Sequence, residues 1–242
     1  TYEMIKEQNE GKTDSTPDPA MIDMFNAMVD EMFDYGRFIL NSKRENPSED
    51  LLSAIANAEI EGEKLSQEFL DGSWLLIIFA GNDTTRNTLS GAIKLLYDNQ
   101  KQKELLIDDL ELLPNFVNET VRCVSPVIHM RRTTLEETEI NGQKIGPHEK
   151  IALWYGAANR DPEIFENPDD FNILRENADK HLAFGFGRHS CIGKPVALMQ
   201  LQEFYSQFLT RFPDFEMNGK WKVAPNNFVH AIQEMPIKFS PR

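Results

Sequence analysis

Phe184-Gly185-Phe186-Gly187-Arg188-His189-Ser190-Cys191-Ile192-Gly193 sets one cysteine in a glycine-punctuated loop, directly ahead of a segment with helical periodicity. Gly185, Gly187 and Gly193 permit tight turns and the close approach of a flat ligand, which side chains would block. Pro195 suits a first helical turn, and Val196, Met199, Phe204, Phe208 and Phe212 recur at roughly helical spacing. Cys191 therefore lies just upstream of a helix N-terminus, where free N–H groups and the positive dipole end favour thiolate over thiol. Phe184 and Phe186 are expected to shield the sulfur from water. The loop reads as a presentation of one thiolate to a metal; the plainer reading is a buried free cysteine in an ordinary loop.

Around this loop the chain is acidic, with a formal net charge of −14 over 242 residues. That balance argues against nucleic acid as a partner, because phosphate binding needs clustered positive charge. Lys180, Arg188 and Lys194 gather in sequence near the cysteine, either as ordinary surface cations or as a docking patch for an acidic electron donor. Hydrophobic residues make up 40% and charged residues 26%, a globular balance. The 2 cysteines exclude four-cysteine iron–sulfur and zinc sites and argue against a disulfide framework, which points to the cytoplasm. The longest apolar run, Trp74 to Ala80, is far short of the ~20 residues that span a bilayer, and no signal peptide is visible, so no membrane segment is expected.

Punctuation along the chain predicts a mainly α fold with a minor β component, organised as a single domain over residues 1–242. Residues 9–19 read as a loop, and Met21, Phe25, Met28, Met32 and Phe33 as one helical face, broken at Asn46-Pro47-Ser48. A helix is expected from Asp50 to Ala58. Ser66 is a plausible N-cap for a long helix over 66–97, and further helices are expected at Lys101 to Leu106 and Pro114 to Cys123. Between Arg131 and Ala158, Asn141-Gly142 and Gly146-Pro147 punctuate short β-prone stretches, among them Ile151 to Tyr155. From Asn159 to Arg175, Pro162 and Pro168 argue for an ordered, irregular segment, and Trp221 to Phe239 reads as short strands and turns.

The long helix carries an unusual polar passage, Ala80-Gly81-Asn82-Asp83-Thr84-Thr85, after the apolar run. Gly81 lowers helix propensity and the Thr84 hydroxyl competes for the carbonyl of Ala80, so a local opening or kink is expected. Read alone, Asp83 and Arg86 are equally an ordinary i,i+3 pair on an emerging helix. Further on, Glu119-Thr120-Val121-Arg122 sets opposite charges three apart on a helix with apolar flanks. Cys123 reads as helix packing.

Together these stretches resemble the cytochrome P450 family. The cysteine loop matches Phe-x-x-Gly-x-(His/Arg)-x-Cys-x-Gly, a pattern expected by chance roughly once in a few million positions; Ala80 to Thr84 matches (Ala/Gly)-Gly-x-(Asp/Glu)-Thr; Glu119-x-x-Arg122 with Arg175 matches the family's Glu–Arg–Arg cluster. The resemblance covers only the C-terminal part of the family fold, which implies a fragment of an enzyme lacking its N-terminal region. It implies haem b (iron protoporphyrin IX) as cofactor, with Cys191 as axial iron ligand, Phe184, Gly185, Gly193, Ala80 and Gly81 lining the haem, and Arg132 and His189 on its propionates. Thr84 would hydrogen-bond dioxygen and Asp83 would relay protons to it. Glu119, Arg122 and Arg175 would have a folding role. Ile77, Val127, Ile128, Met130, Phe228 and Val229 would face the substrate.

Finer similarities, such as His129-Met130-Arg131-Arg132-Thr133 and Ala158-Asn159-Arg160-Asp161, point to soluble bacterial alkane and terpene hydroxylases, with steroid or branched-lipid hydroxylases behind them. The implied activity is a monooxygenase that takes electrons from a separate ferredoxin and its reductase and inserts one oxygen atom from O₂ into an apolar alkane, terpene or fatty acid. A peroxide-using hydroxylase of the same fold and a non-catalytic haem-binding fragment are the rivals. Lys194-Pro195-Val196 departs from the arginine-containing helix start usual in the family, which leaves the donor contacts open.

Overall fold

The computed structural model describes residues 18–240, which fall into two compact units, one reaching to Phe79 and the other starting at Ala80. The expected 9–19 loop lies outside the described residues except for its last two, where Asp18 caps a helix and Pro19 opens it.

In the first unit, helix α1 (Pro19–Glu45) starts where the Asp18 carboxylate accepts from Ala20 N at 3.0 Å and ends at Asn46, the predicted break. Helix α2 (Leu51–Ala56) is shorter than expected: Asp50 is its cap, accepting from Ser53 N at 2.8 Å, and a two-stranded turn, β1 (Glu59–Ile60) and β2 (Glu63–Lys64), follows. Leu40, Ala56, Leu70 and Trp74 form the core of this unit. Gly36 is required there by close approach, because a Cβ on it would lie 2.5 Å from the Trp74 ring, whose Nε1 donates to Met32 O at 3.0 Å.

Helix α3 runs from Gln67 to Asp98, within one residue of the predicted 66–97. Ser66 caps it, its hydroxyl accepting from Phe69 N at 3.2 Å. The Thr84 hydroxyl does donate to Ala80 O at 3.0 Å, yet the helix continues unbroken through this point. The division between the two units falls inside this helix.

The second unit adds α4 (Gln100–Asp108), α5 (Leu113–Val124), a short α6 (Tyr155–Ala158) and α7 (Lys194–Arg211). Its core joins the last turns of α3 to α5 and α7 through Ala92, Leu96, Phe116, Val121, Leu201 and Tyr205. Strands β3 (His129–Thr133) and β6 (Lys150–Trp154) pair antiparallel, with Arg132 opposite Ile151. Between them, β4 (Thr138–Ile140) and β5 (Gln143–Ile145) form a hairpin whose turn residues Asn141 and Gly142 both have positive φ, 49° and 79°, as an Asn-Gly turn demands. After α7 come two more two-stranded pairs, β7 (Glu216–Met217) with β10 (Ile237–Lys238) and β8 (Lys222–Val223) with β9 (Ile232–Glu234). The fold is thus mainly helical with small sheets, as the sequence pattern predicts.

Candidate functional site

Burial of Phe116, Val117 and Val121 on α5 carries Glu119 and Arg122 into the interior, where neither side chain has any exposure. Two buried charges are costly unless every donor and acceptor is met. Here they are met. Arg122 donates Nε to Glu119 Oε2 at 2.8 Å and Nη2 to Oε1 at 2.9 Å, and its remaining N–H groups reach the carbonyls of Asn159, Pro168 and Asp170 at 2.7–3.0 Å. Arg175 brings Nε to both Glu119 oxygens at 3.1 Å and donates to the carbonyls of Glu166, Asn167 and Asp170. The Phe165 ring lies 5.1 Å from the Arg122 guanidinium carbon. The irregular stretch from Asn159 to Arg175 is thus ordered by two guanidinium forks, which a propensity argument cannot supply. The structure brings all three predicted cluster residues together.

The cysteine loop is held by its backbone. Cys191 N donates to Phe184 O at 2.8 Å, Gly185 N to Leu182 O at 2.8 Å, and Lys194 N, opening α7, to Cys191 O at 3.3 Å. Gly185 and Gly187 have φ of 69° and 71°, the left-handed region where glycine carries no penalty, and a Cβ on Gly185 would meet His189 O at 3.3 Å. Cys191 is a free, exposed thiol, and Gly193 stands beside it, a Cβ there falling 3.8 Å from the sulfur.

One expectation about this loop is corrected. Phe184 packs inward against the core, but Phe186, flanked by the two left-handed glycines, is turned out and 85% exposed, so the pair does not shield the sulfur. Next to the cysteine, Ile192 is 86% exposed. The loop therefore presents a thiol flanked by bare apolar side chains. His189 is exposed in a short 3₁₀ turn, and the Arg132 guanidinium on β3 donates to Arg131 O at 2.9 Å. Lys180 and Arg188 are exposed, whereas the Lys194 ammonium folds back 5.5 Å over the Phe184 ring.

On α3, successive residues are ~100° apart, so Ala80 and Thr84 form one stripe and Gly81, Thr85 and Leu89 another. The second stripe, together with Met199 and Phe204 of α7, lines a cleft of 680 Å³. Ala80 and Gly81 thus face different directions, and Gly81 belongs to the cleft. Asp83 is ion-paired with Arg86, as the plainer reading of that passage has it; its side chain is 31% exposed.

Val127-Ile128 and Phe228-Val229, a hundred residues apart, meet in the fold: Val127 bridges Val229 antiparallel, and Ile128 N donates to Phe228 O at 2.8 Å. Val229 is buried, while Val127, Ile128, Met130 and Phe228 are half-buried. Ile77 is half-buried on α3 within the first unit.

Two residues escape sequence reasoning. Asn159, fully buried, accepts from Leu182 N at 2.6 Å through Oδ1. His181, 6% exposed, accepts from Ala183 N at 3.3 Å through Nδ1 and packs 5.5 Å from the Phe184 ring. Burial, and then the charge of Lys194, lower its pKa to about 4. Neither residue has a periodic signal: Asn159 acts across 23 residues of mostly irregular chain, and His181 on a turn two residues ahead of it. Cys123 is half-buried against the core, as expected, and burial with the nearby Glu119 charge pushes its thiol up to about 11.

The chemistry of the donor set fits a haem. Cys191 is a free, exposed thiol beside Gly193. A thiolate is a proven type of single protein ligand for such an iron, and exposed Phe186 and Ile192 offer apolar contact to a flat macrocycle. Among the described residues no helix is long and apolar enough to cross a membrane.

The family model for cytochrome P450 matches residues 16–239. Linalool 8-monooxygenase from Pseudomonas putida is 35% identical over 215 residues, covering 89% of this chain and 53% of its own length. Steroid C26-monooxygenase from Mycolicibacterium smegmatis is 36% identical over 210 residues, covering 86% of this chain and 52% of its own. Among solved structures, cytochrome P450-153 from Novosphingobium aromaticivorans matches with a TM-score of 0.83 at 35% identity, over 92% of this chain and 55% of that one. The chain spans about half the length of the curated relatives it matches.

Proposed function

The chain belongs to the cytochrome P450 family, and on that premise we propose that it is the C-terminal part of one catalytic domain, that of a haem-thiolate monooxygenase acting on an apolar substrate. The observation that carries the reading is the exposed Cys191 thiol, fixed by its own N–H on Phe184 O at the start of α7. Bound there, haem b supplies the redox chemistry by which two electrons, two protons and O₂ yield one oxygen atom in a C–H bond and one water.

The chain's own residues divide the remaining work. Cys191 gives the iron its thiolate, with Phe184, Gly185, Gly193 and Ala80 beside the ring and Arg132 and His189 as cations for the propionates. Thr84 keeps a proton on its hydroxyl by donating to Ala80 O, and turning that hydroxyl off the carbonyl frees it for the reacting site. Asp83, partly exposed and held by Arg86, exchanges protons with water and hands them toward Thr84. Glu119, Arg122 and Arg175 hold the segment that leads into the loop.

An alkane, terpene or fatty acid is the preferred substrate class, supported by the apolar meeting of Val127 and Ile128 with Val229 and Phe228, with Met130 two residues on in β3, and by a linalool-named relative. A steroid or branched lipid is the second reading, supported by the steroid-named relative. Electrons come from a ferredoxin served by a reductase, docking near exposed Lys180 and Arg188, and the work is done in the cytoplasm, where two free cysteines stay reduced.

A reduced, carbon-monoxide-bound difference spectrum after haem loading tests this. The red-shifted thiolate-type band is expected for the protein and its loss for Cys191→Ser; a protein without the band, or a variant that keeps it, overturns the assignment. Spectral titration with an alkane, a terpene and a steroid then ranks the substrate classes.

A further inference from the structure

A buried amide side chain must meet both its oxygen and its nitrogen, so a fully buried asparagine is a fixed joint. Asn159, at the end of α6, has no exposure. Its Oδ1 accepts from Leu182 N at 2.6 Å and its Nδ2 donates to Ser125 Oγ at 2.8 Å. Its backbone carbonyl accepts from Arg122 Nη1 at 2.7 Å, and its N–H donates to Tyr155 O at 2.9 Å. Chemistry fixes the amide's orientation. Leu182 N can only donate, and the Ser125 hydroxyl spends its proton on Arg122 O at 2.9 Å, so oxygen must face Leu182 and nitrogen must face Ser125.

From this joint a short path leads to the cysteine. Arg122 holds Asn159, Asn159 holds Leu182, Leu182 O accepts from Gly185 N at 2.8 Å, and Phe184 O accepts from Cys191 N at 2.8 Å. On the next residue His181 Nδ1 takes the Ala183 N–H at 3.3 Å, so two side chains hold successive N–H groups of the irregular segment that feeds the loop. We propose that Asn159 is a positioning residue for Cys191, transmitting the rigidity of the Glu119–Arg122–Arg175 cluster to the thiolate loop through its bond to Leu182 N. The proposal rests on the haem-thiolate reading for its spectroscopic consequence, but the restraint on the loop is a property of the chain itself.

Two variants separate this role from general stability. Asn159→Ala takes the acceptor from Leu182 N, whose bond is part-buried; Ser125→Ala leaves that bond in place and removes the other bond of the same amide. In the haem-loaded protein, Asn159→Ala should lower the ratio of red-shifted to unshifted carbon-monoxide band about tenfold, while Ser125→Ala stays within about twofold of the parent. Amide hydrogen exchange over residues 182–191 of the haem-free protein should rise about tenfold in Asn159→Ala alone. An unchanged ratio and exchange in Asn159→Ala, or an equal effect in Ser125→Ala, overturns the proposal. Should Asn159→Ala not fold, Ser125→Ala decides, since it keeps the bond to Leu182 N: loss of loop protection there sinks the proposal and retention supports it. A parent protein with no red-shifted band defeats the haem-thiolate reading, and the exchange measurement still decides on Asn159.

Discussion

Arg122 and Glu119 meet through two hydrogen bonds, Nε to Oε2 at 2.8 Å and Nη2 to Oε1 at 2.9 Å, with both side chains wholly buried, and Arg175 closes on the same carboxylate at 3.1 Å. One carboxylate thus offsets two guanidinium groups. Glu119→Gln keeps the shape and removes the charge, leaving two cations uncompensated, which costs about 3–5 kcal/mol. That is a large share of the roughly 5–15 kcal/mol that holds a domain folded. Urea unfolding should move to lower denaturant by more than about 1 M; a midpoint equal to that of the parent would contradict the buried-cluster account.

The cysteine loop, the Ser66 cap and the Asn141-Gly142 hairpin were legible because each is decided within a few residues, by a cap, a turn or a glycine requirement. Glu119 with Arg122 was legible as a helical pair, and Arg175 only through resemblance. Other features depend on chain brought together from far apart. Asn159 and Leu182 are separated by irregular backbone, and Val127 meets Val229 across a hundred residues, so no periodicity carries either contact. Phe186 failed as a shield because two left-handed glycines turn it outward, an orientation that hydrophobicity alone does not encode. Ala80 and Gly81 were grouped by motif, yet neighbours on a helix point ~100° apart.

His181 predicts how the fold responds to acid. Burial lowers its pKa from an ordinary 6.5 to about 4, and its Nδ1 must stay unprotonated to accept from Ala183 N. The unfolded chain binds the proton first as pH falls. The stabilisation is therefore complete above about pH 6.5, declines as pH drops through the window to about 4, and is gone below it. Its full size is about 3 kcal/mol. Chemical denaturation at a series of pH values should yield a steeper decline between those limits for the parent than for His181→Phe. Equal slopes would mean that His181 is not held neutral.

The two cysteines should react very differently with an alkylating reagent. Cys191 is exposed, whereas Cys123 is half-buried and its thiol is pushed up to about 11, by burial first and by Glu119 second. Near neutral pH Cys123 is almost wholly protonated, and the thiol form is a poor nucleophile. Peptide mapping of the haem-free chain should find one equivalent of label, on Cys191, with Cys123 modified only after unfolding. Equal labelling of both would show that α5 opens on the timescale of the reaction.

Thr84 separates chemistry from folding on a single helix. Its hydroxyl donates to Ala80 O at 3.0 Å, a bond that only doubles one the backbone already provides, so Thr84→Ala should change stability by no more than about 0.5 kcal/mol. The same hydroxyl belongs to the residue after Asp83 and shares a helix stripe with Ala80. Under the proposed function it is the last proton donor, so without it electrons drawn from the redox partner should leave as free hydrogen peroxide more often than as product. The measurement is peroxide released per electron pair consumed, set beside product formed, in the haem-loaded protein supplied with donor. A several-fold rise in that ratio with an unaltered unfolding midpoint supports the role, and an unaltered ratio removes Thr84 from it.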